Sequence, residues 1–296
     1  MKVFINNMPF PYELEKKLSK LLIISGNYSK LEDKDLEKIK NFLKKREREY
    51  NIIPSNAIIS SIRSAYMNER ELINHRSFNK YKKNIIKDFF KYNNIFKVSK
   101  KYDFSPIKIL KYILQYHKLS KTNISLILHL SAKKKFKTIK KKFPFNDKFL
   151  QNIKDVIDND VFNTIDQEKI KQYADAFERK LEYAVDNVYK RKYKTEEQLK
   201  QEQTEKYGRP ILTPDILLLQ DLYINNKKVN WIDAKNYYGA NTILIKKNLT
   251  KQIDKYYDKL GPGAIVFSLG YSSKILQQFD NNKILLLSFN DFEKIK

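Results

Sequence analysis

Residues 213 to 235, TPDILLLQDLYINNKKVNWIDAK, contain two apolar runs separated by a short polar stretch. The two adjacent asparagines in that stretch tolerate the left-handed backbone that a tight turn needs, so the segment predicts a β-hairpin. The predicted hairpin begins with Asp215 and ends with Asp233, two residues before Lys235. Because the start of one antiparallel strand lies beside the end of the other, these three side chains are expected to lie near one another.

The register of the hairpin determines whether the three side chains share a face. A two-residue loop at the asparagines would pair Asp215 with Asn236. Asn236 points to the opposite face from Asp233 and Lys235, because side chains alternate between the two faces of a strand. The sequence therefore requires either a loop of odd length or a β-bulge in one strand.

The second half of the chain alternates between helical and strand-like patterns, which is typical of a small α/β domain. One helical pattern runs from Ile170 to Lys190, and another near Lys246–Leu260 ends at Gly261-Pro262-Gly263, an abrupt helix stop. Strands are expected at four positions, namely Ile216–Ile224, Val229–Ala234, Ala264–Leu269 and Ile284–Phe289.

The first half of the chain is predicted to be all-helical, because leucine and isoleucine recur at helical spacing without sustained alternation. The predicted helices lie near Glu13–Ile24, Asp33–Tyr50, Ser55–Asn74, Tyr81–Tyr92, Phe96–Tyr102, Ser105–His117 and Asn123–Leu130.

Charge is divided unequally along the chain, whose formal net charge is +25. Residues 1–150 hold 35 Lys and Arg against 13 Asp and Glu, whereas residues 151–296 hold 24 against 21. A base-composition bias of the gene would enrich lysine in both halves, so it does not explain this difference. A positive field confined to one half favours a polyanionic partner, and we prefer nucleic acid to an anionic membrane surface.

Two short segments of the first half resemble helix-turn-helix units, whose second helix usually enters the major groove of DNA. In the clearer unit, a turn over Tyr102–Phe104 precedes Ser105, which is expected to cap a new helix with Pro106 at its first position. The weaker unit places Pro54-Ser55 before an apolar helix. An ordinary helical hairpin with a solvated lysine face fits the same pattern.

Lysines in and after the clearer unit are the candidate nucleic-acid contacts. They are Lys108, Lys111 and Lys118 on the second helix, and Lys133, Lys134 and Lys135 in the lysine-rich run 131–143. The lysine-rich run fits a phosphate-binding patch, a nuclear-import signal or a solvated surface equally well.

Composition excludes several classes of protein. The chain has no cysteine, so it has neither disulfides nor a thiolate zinc site, and its three histidines lack ligand-like spacing. No apolar run approaches the ~20 residues that cross a bilayer, and the first residues lack the apolar core of a signal peptide. We therefore expect an intracellular, soluble protein without membrane contact, in the nucleus or cytoplasm if the source is eukaryotic.

The two hairpin acids and the lysine fit a metal site for phosphate chemistry. Two carboxylates a few Å apart repel, and a bridging cation keeps both ionised at low cost. Mg²⁺, or Mn²⁺ in its place, binds one or two carboxylates together with water and phosphate oxygens. Lys235 would touch both the attacking water and the scissile phosphate. In a chain with 31% charged residues the alternative is a chance pattern, although its position at the end of an apolar hairpin argues against chance.

The residues at this position resemble a known family. Asp215 with Asp233-Ala234-Lys235 resembles the signature of the PD-(D/E)XK nuclease superfamily, and Pro214 supplies its proline. A longer series resembles the TPD-motif family, which includes the codanin-interacting nuclease of animals. The segments that carry this likeness are Thr213-Pro214-Asp215, Trp231–Lys235, Tyr238-Gly239, Gln252–Tyr256 and Leu260–Gly263, within residues 170–290, and, more weakly, the stretches 54–68 and 96–115.

The resemblance implies roles that spacing alone does not give. An acid on the first core helix completes the metal site in the superfamily, and Glu178 is the best match, with Glu182 as the second choice. Gln252 and Tyr256 match a Gln-x-x-x-Tyr element that orients the metal site or the nucleic-acid backbone. The chain carries Asp233 where relatives have Glu, which puts the metal distance or preference in doubt.

Together these observations predict a multidomain α + α/β protein. A helical, basic, nucleic-acid-binding region with helix-turn-helix units is expected over residues 1–150, and a restriction-endonuclease-like PD-(D/E)XK α/β domain over residues 151–296. The predicted function is metal-dependent hydrolysis of nucleic-acid phosphodiester bonds, with DNA as the preferred substrate and Mg²⁺ activating the water. The alternative is a catalytically inactive nuclease fold that acts as a DNA-binding or scaffold factor. A codanin-like protein partner is implied by the resemblance alone.

Overall fold

The computed structural model describes residues 1–29, 31–50, 52–160, 167–280 and 282–293. The chain divides into two compact units. The sheet unit comprises Met1–Ser19, Glu47–Ala65 and Lys171–Lys296, and the helical unit comprises Lys20–Arg46 and Tyr66–Ile170. The units therefore do not follow the predicted division at residue 150, because two segments from the first half pack with the second half.

The helices and strands that the sequence predicts are all present, with some ends shifted, and further elements lie between them. The helices of the described residues are α1 (Tyr12–Leu22), α2 (Asp33–Tyr50), α3 (Asn56–Ile73), α4 (His75–Tyr92), α5 (Ile95–Tyr102), α6 (Pro106–Tyr116), α7 (Lys121–Ala132), α8 (Phe136–Lys142), α9 (Asp147–Asn159), α10 (Gln167–Asn187), α11 (Glu196–Tyr207), α12 (Ile243–Leu260), α13 (Ser273–Leu276) and α14 (Phe289–Phe292). The strands are β1 (Lys2–Val3), β2 (Tyr193–Thr195), β3 (Ile216–Ile224), β4 (Lys227–Lys235), β5 (Gly263–Phe267) and β6 (Ile284–Ser288).

The strands of the described residues form one mixed sheet in the order β1-β3-β4-β5-β6, with β2 also paired to β3. β4, β5 and β6 run parallel, and β3 runs antiparallel to β4. β1 pairs in parallel with one end of β3, and β2 pairs antiparallel with its other end. The structure thus confirms a mixed α/β protein with a helical N-terminal half.

Helices cover both faces of this sheet. On one face α10 packs Phe177 and Leu181 into a core that contains Ile232 of β4. On the other face α12 packs Ile253 into a core that contains Trp231. The neighbouring residues Trp231 and Ile232 of β4 lie in different cores because adjacent strand side chains point in opposite directions. β4 is therefore a central strand, and both of its faces are closed by helices.

The Gly-Pro-Gly helix stop also makes room for the single tryptophan. Trp231 is fully buried, and its Nε1 donates to the Gly261 carbonyl at 2.9 Å. A Cβ on Gly263 would lie 2.1 Å from the indole, so only glycine fits at the start of β5. Gly261 has a φ of 76°, which favours glycine as the helix terminator.

The turn between β3 and β4 has two residues. Asn225 and Asn226 have φ values of 51° and 61°, and Ile224 pairs with Lys227 across them. Positive φ at both central residues is the geometry that a tight hairpin needs. The Asn225 side chain also accepts a hydrogen bond from the Ile5 N–H at 2.8 Å and donates to the Ile5 carbonyl at 3.1 Å. This turn therefore anchors the segment that follows β1.

Of the two predicted alternatives, an odd-length loop or a bulge, the structure has the bulge, and it lies within β3. The pairing register shifts after Leu217, so that Ile216 pairs with Ile232. One further step in this register places Asp215 opposite Asp233. The bulge therefore places Asp215 on the same face of the sheet as Asp233. A two-residue turn without the bulge would place it on the opposite face.

The helical unit contains the predicted α5–turn–α6 arrangement with Ser105 at the N-cap position, but the expected capping hydrogen bond from the Ser105 side chain is absent. The Ser105 side chain makes no capping hydrogen bond, and its buried Oγ has no partner among the described residues. Instead the Ile107 N–H donates to Asp160 Oδ2 at 2.9 Å, and the Ser105 N–H donates to Glu71 Oε1 at 2.8 Å. Carboxylates from distant segments satisfy the helix N-terminus because they also complement its positive dipole end. Pro106 does occupy the first helical position, as predicted.

In the described ranges, no helix is both long enough and apolar enough to cross a membrane.

Candidate active site

Asp215 and Asp233 lie where β3 begins and β4 ends. The Ala234 N–H donates to Asp215 Oδ2 at 2.6 Å, which fixes the carboxylate beside the last residues of β4. Asp233 is only 3% exposed, so its charge is almost completely withdrawn from water. The structure therefore brings the two predicted hairpin acids together.

Two further predicted residues bind Asp233 directly. Lys235 Nζ forms an ion pair with Oδ2, and Gln252 Nε2 donates to Oδ1 at 2.5 Å. Burial would lower the pKa of Lys235, but the negative charge of Asp233 outweighs burial and raises it. Lys235 thus stays a cation inside the site. Gln252, on α12, thus contacts one of the two acids, in keeping with the resemblance.

Tyr256 holds the segment that precedes Asp215. Its hydroxyl donates to the Thr213 carbonyl at 3.2 Å, and its ring packs edge-on against Trp231 with centroids 4.9 Å apart. The Thr213 hydroxyl in turn donates to Glu196 Oε1 at 3.4 Å. Tyr256 therefore positions the TPD segment from the helix side, one turn away from Gln252.

Burial and neighbouring negative charge raise the pKa of both aspartates. The pKa of Asp215 rises to about 8, chiefly through desolvation and then through Asp233, with a smaller contribution from Glu178. Desolvation also raises the pKa of Asp233, although Lys235 and Gln252 oppose it. Asp215 is therefore largely protonated at neutral pH and would ionise when a cation compensates its charge.

Of the two glutamates predicted on α10, Glu178 is the one that influences the pKa of the hairpin acid Asp215. Its pKa is raised by burial first and then by neighbouring acids, among them Glu196 and Asp233. The pKa of Glu182 is raised by burial and then by Asp186, with no contribution from either aspartate of the hairpin. The structure thus favours Glu178 as the helix acid of the site.

Glu196 is an acid of this site that the sequence reasoning missed. Its N–H donates to the Asp215 carbonyl at 3.1 Å, and its charge raises the pKa of Asp233. Glu196 opens α11, whose N-terminus has a complete capping box between Thr195 and Gln198. The capping-box pattern could have predicted this helix. The pairing of β2 with β3, which brings the helix to the hairpin, has no comparable signal because β2 has only three residues.

The acids are close without forming a closed ligand cage. Among the residues that the structure describes, no three His, Cys, Asp or Glu side chains are arranged to hold a metal ion together. The predicted ligand set of Glu178, Asp215 and Asp233 therefore stays a prediction. The donor chemistry does fit a hard cation, because the site consists of carboxylates whose pKa is raised by burial and then by neighbouring negative charge.

One of the six candidate lysines in the helical unit lies outside its predicted helix, and another packs against aromatic rings. Lys118 comes after α6, which ends at Tyr116, so it is not on the second helix. Lys108 Nζ lies 4.9 Å from the ring centre of Phe78 and 5.1 Å from that of Phe104, and burial lowers its pKa. The placement of Lys118 on the second helix is therefore wrong, and contact of Lys108 or Lys118 with a duplex stays a prediction.

The remaining lysines are exposed, as a phosphate-contacting role requires. They are Lys111 on α6, and Lys133, Lys134 and Lys135 between α7 and α8. Lys133 Nζ pairs with Glu168 at 3.2 Å, which partly neutralises it.

Fold and site together define a mixed α/β protein with a carboxylate–lysine cluster at the junction of two central strands. Residues 146–289, just under half of the chain, match the model of a family described as "Protein of unknown function TPD sequence-motif". The predicted resemblance to the TPD-motif family is thus confirmed over these residues.

One similar protein is the uncharacterized protein L539 of Acanthamoeba polyphaga mimivirus. It is 39% identical over 87 residues, which cover 28% of this chain and 30% of the relative. The chain therefore matches less than a third of that relative's length. No solved structure matches the chain.

Proposed function

We propose that the sheet unit is a divalent-metal-dependent nuclease of the PD-(D/E)XK type, which hydrolyses phosphodiester bonds. The observation that carries this proposal is the β3 bulge, which aligns Asp215 with Asp233 while Lys235 pairs with Asp233. Such a bulge interrupts the pairing of a strand next to the centre of the sheet, and bulges commonly re-aim side chains beside active sites.

Asp215 and Asp233 are the residues that would hold the metal ion. An ion such as Mg²⁺ binds through one or two carboxylates and fills its other positions with water and phosphate oxygens, so a three-acid cage is not required. When bound, it supplies Lewis-acid polarisation of the phosphate and activation of water. Glu178 and Glu196 add negative potential that attracts the cation.

The remaining site residues prepare the substrate phosphate. Lys235 presents a buried cation that stabilises negative charge on the phosphoryl oxygens as the bond breaks. Gln252 holds one oxygen of Asp233 in place, and Tyr256 holds the backbone before Asp215. Preorganised groups of this kind favour the transition state because they do not reorganise during the reaction.

The charge of the helical unit supports a nucleic-acid substrate, with DNA as our first choice. This unit holds 32 Lys and Arg against 14 Asp and Glu, a surplus of 18. The phosphate backbone attracts such a field whatever its base sequence. The α5–turn–α6 arrangement, with exposed Lys111 on α6, is compatible with docking on a duplex.

Cleavage assays with matched variants test this proposal. Duplex, single-stranded and branched DNA are incubated with the full chain and Mg²⁺ or Mn²⁺. We expect Asp215→Asn and Lys235→Met to abolish cleavage, whereas Asp254→Asn and Lys255→Met, exposed on α12, retain it. Equal cleavage by the site variants and the wild type would remove this site from the reaction.

One observation favours a second function, a nuclease fold that binds nucleic acid without cutting it. Both oxygens of Asp233 are already engaged, one by Lys235 and the other by Gln252. A protein of this kind would bind DNA with a strong salt dependence and show no turnover with either metal. The same assays, read together with binding, distinguish the two functions.

A further inference from the structure

A large groove lies beside α10 in the sheet unit, at the ends of β4 and β5. Its volume is about 940 Å³. Side chains of α10 form one wall, and residues that follow β4 and β5, together with α14, form the rest. The lining includes aromatic, charged and hydrogen-bonding side chains, among them Tyr173, Arg179, Lys180, Tyr183, Asn236 and Ser268.

The α10 wall combines aromatic rings with cations. Tyr173 and Tyr183 are 59% and 68% exposed, far more than packing requires of a tyrosine. They are ten residues apart, which is about 15 Å along a helix axis. Arg179 and Lys180 lie between them in the chain and are also exposed. Rings interleaved with cations suit a chain of alternating bases and phosphates.

The opposite wall offers polar groups that can form further hydrogen bonds. Ser268 Oγ is buried and makes no hydrogen bond within the part of the chain that the structure describes. Asn236 and Asn290 add amide donors and acceptors, and Glu293 is the acid in this lining. The two cations outnumber this carboxylate, so the groove complements an anionic ligand.

The groove and the acid site lie at the same end of β4. Lys235 belongs to the acid site, and the next residue, Asn236, lines the groove, because adjacent side chains point to opposite faces. On α10, the residues on either side of Glu178, Phe177 and Arg179, line the groove. A nucleic-acid strand that crosses the end of β4 from one face of the sheet to the other would contact both places.

We propose that this groove binds a single-stranded segment of nucleic acid next to the acid site. The inference rests on the proposed function for the choice of nucleic acid, and it adds the form of the strand. A duplex buries its base faces by stacking, so exposed tyrosines gain contacts from an unpaired strand and little from a paired one. The substrate class is then a nucleic acid with an unpaired tail, flap or gap beside the bond that is cut.

Binding to fluorescent oligonucleotides in metal-free buffer tests the groove without any turnover. We expect Tyr173→Ala and Tyr183→Ala each to weaken single-strand binding by roughly tenfold, as loss of a stacking ring does, and to leave duplex binding unchanged. Tyr183→Phe keeps the ring and should restore the affinity. The double variant Arg179→Gln with Lys180→Gln should reduce the slope of log affinity against log salt by about 1.4.

Tyr207→Ala is the matched control, because Tyr207 is 52% exposed on α11 and lies outside the groove. Unchanged single-strand affinity in both groove tyrosine variants overturns the proposal. An equal loss of affinity for single strands and duplexes also overturns the proposal, because such a loss indicates a general attraction to phosphates. An absence of cleavage in the assays above does not affect this test, because single-strand binding is measured without metal.

Discussion

At the residue scale, the raised pKa of Asp215 makes the stability of the protein depend on pH. Its pKa of about 8 means that the folded protein keeps a proton that the unfolded chain releases near pH 4. Between these pH values the native state binds more protons than the unfolded state, so stability falls as pH rises from about 4 to about 8 and then levels off. A group placed this way lowers stability at the pH where its charge is useful.

We predict that Asp215→Asn stabilises the protein at alkaline pH. Asparagine keeps an oxygen for the Ala234 N–H and removes the buried charge. The free energy of unfolding should exceed that of the wild type by roughly 2–4 kcal/mol at pH 9 and by little at pH 5. Denaturant titrations across this pH range measure the difference. The exposed Asp254→Asn should follow the wild type, and a pH-independent effect of Asp215→Asn would contradict the prediction.

At the scale of elements, the two asparagines of the β3–β4 turn have different roles. Asn225 and Asn226 share the left-handed backbone, but the Asn225 side chain also bonds both backbone groups of Ile5. We predict that Asn225→Ala lowers the free energy of unfolding by about 1–3 kcal/mol more than Asn226→Ala, because Ile5 is left without its hydrogen-bond partners. Paired chemical denaturation of the two variants gives the comparison. Equal destabilisation would show that only the turn conformation matters.

The N-terminus of α6 provides a second comparison, between two side chains that could cap the helix. Asp160 accepts the Ile107 N–H, whereas Ser105 Oγ has no partner in the described residues. We predict that Asp160→Ala costs about 1–2 kcal/mol, the usual loss for a helix cap. Ser105→Ala should be neutral or slightly stabilising, because it removes a buried hydroxyl that forms no hydrogen bond. Thermal unfolding of both variants decides whether the serine or the aspartate is the cap.

These elements show what the sequence can and cannot predict. The hairpin and α10 follow from local periodicity, and the bulge follows from the requirement that Asp215 and Asp233 share a face. Apolar periodicity does not predict the helix α11, because Leu199 is its single buried residue and the helix has no apolar stripe. Glu196 and Asp160 escape for another reason: they act on residues far along the chain, and such pairings leave no local pattern.

At the scale of the whole molecule, composition predicts the net charge well. It does not predict which individual lysines are available to a partner. Lys108 counts toward the net charge, yet its ammonium packs over two aromatic rings. We predict that replacing the exposed Lys111, Lys118, Lys134 and Lys135 by glutamine makes the salt dependence of DNA binding shallower. The slope should fall by roughly 0.9 for each phosphate that the variant no longer neutralises. Binding titrations at several salt concentrations measure this slope.

Lys108→Gln is the control for this experiment. It should leave the slope unchanged and reduce stability, because glutamine replaces neither the long lysine stem nor the cation over the rings. A Lys108 variant with the shallower slope would show that this ammonium reaches phosphate in the complex.

The pairing of β1 with the far end of β3 has a consequence for how the chain is made. Lys2 and Val3 pair with Tyr223 and Ile224, so a ribosome completes the partner strand only after more than two hundred further residues. At cellular elongation rates this delay is roughly ten to forty seconds. During that time the apolar side chains of Val3 and Ile5, buried in the finished protein, lack their partners in the sheet unit. Pairing of β1 with β3 is therefore a late event in the synthesis of the sheet.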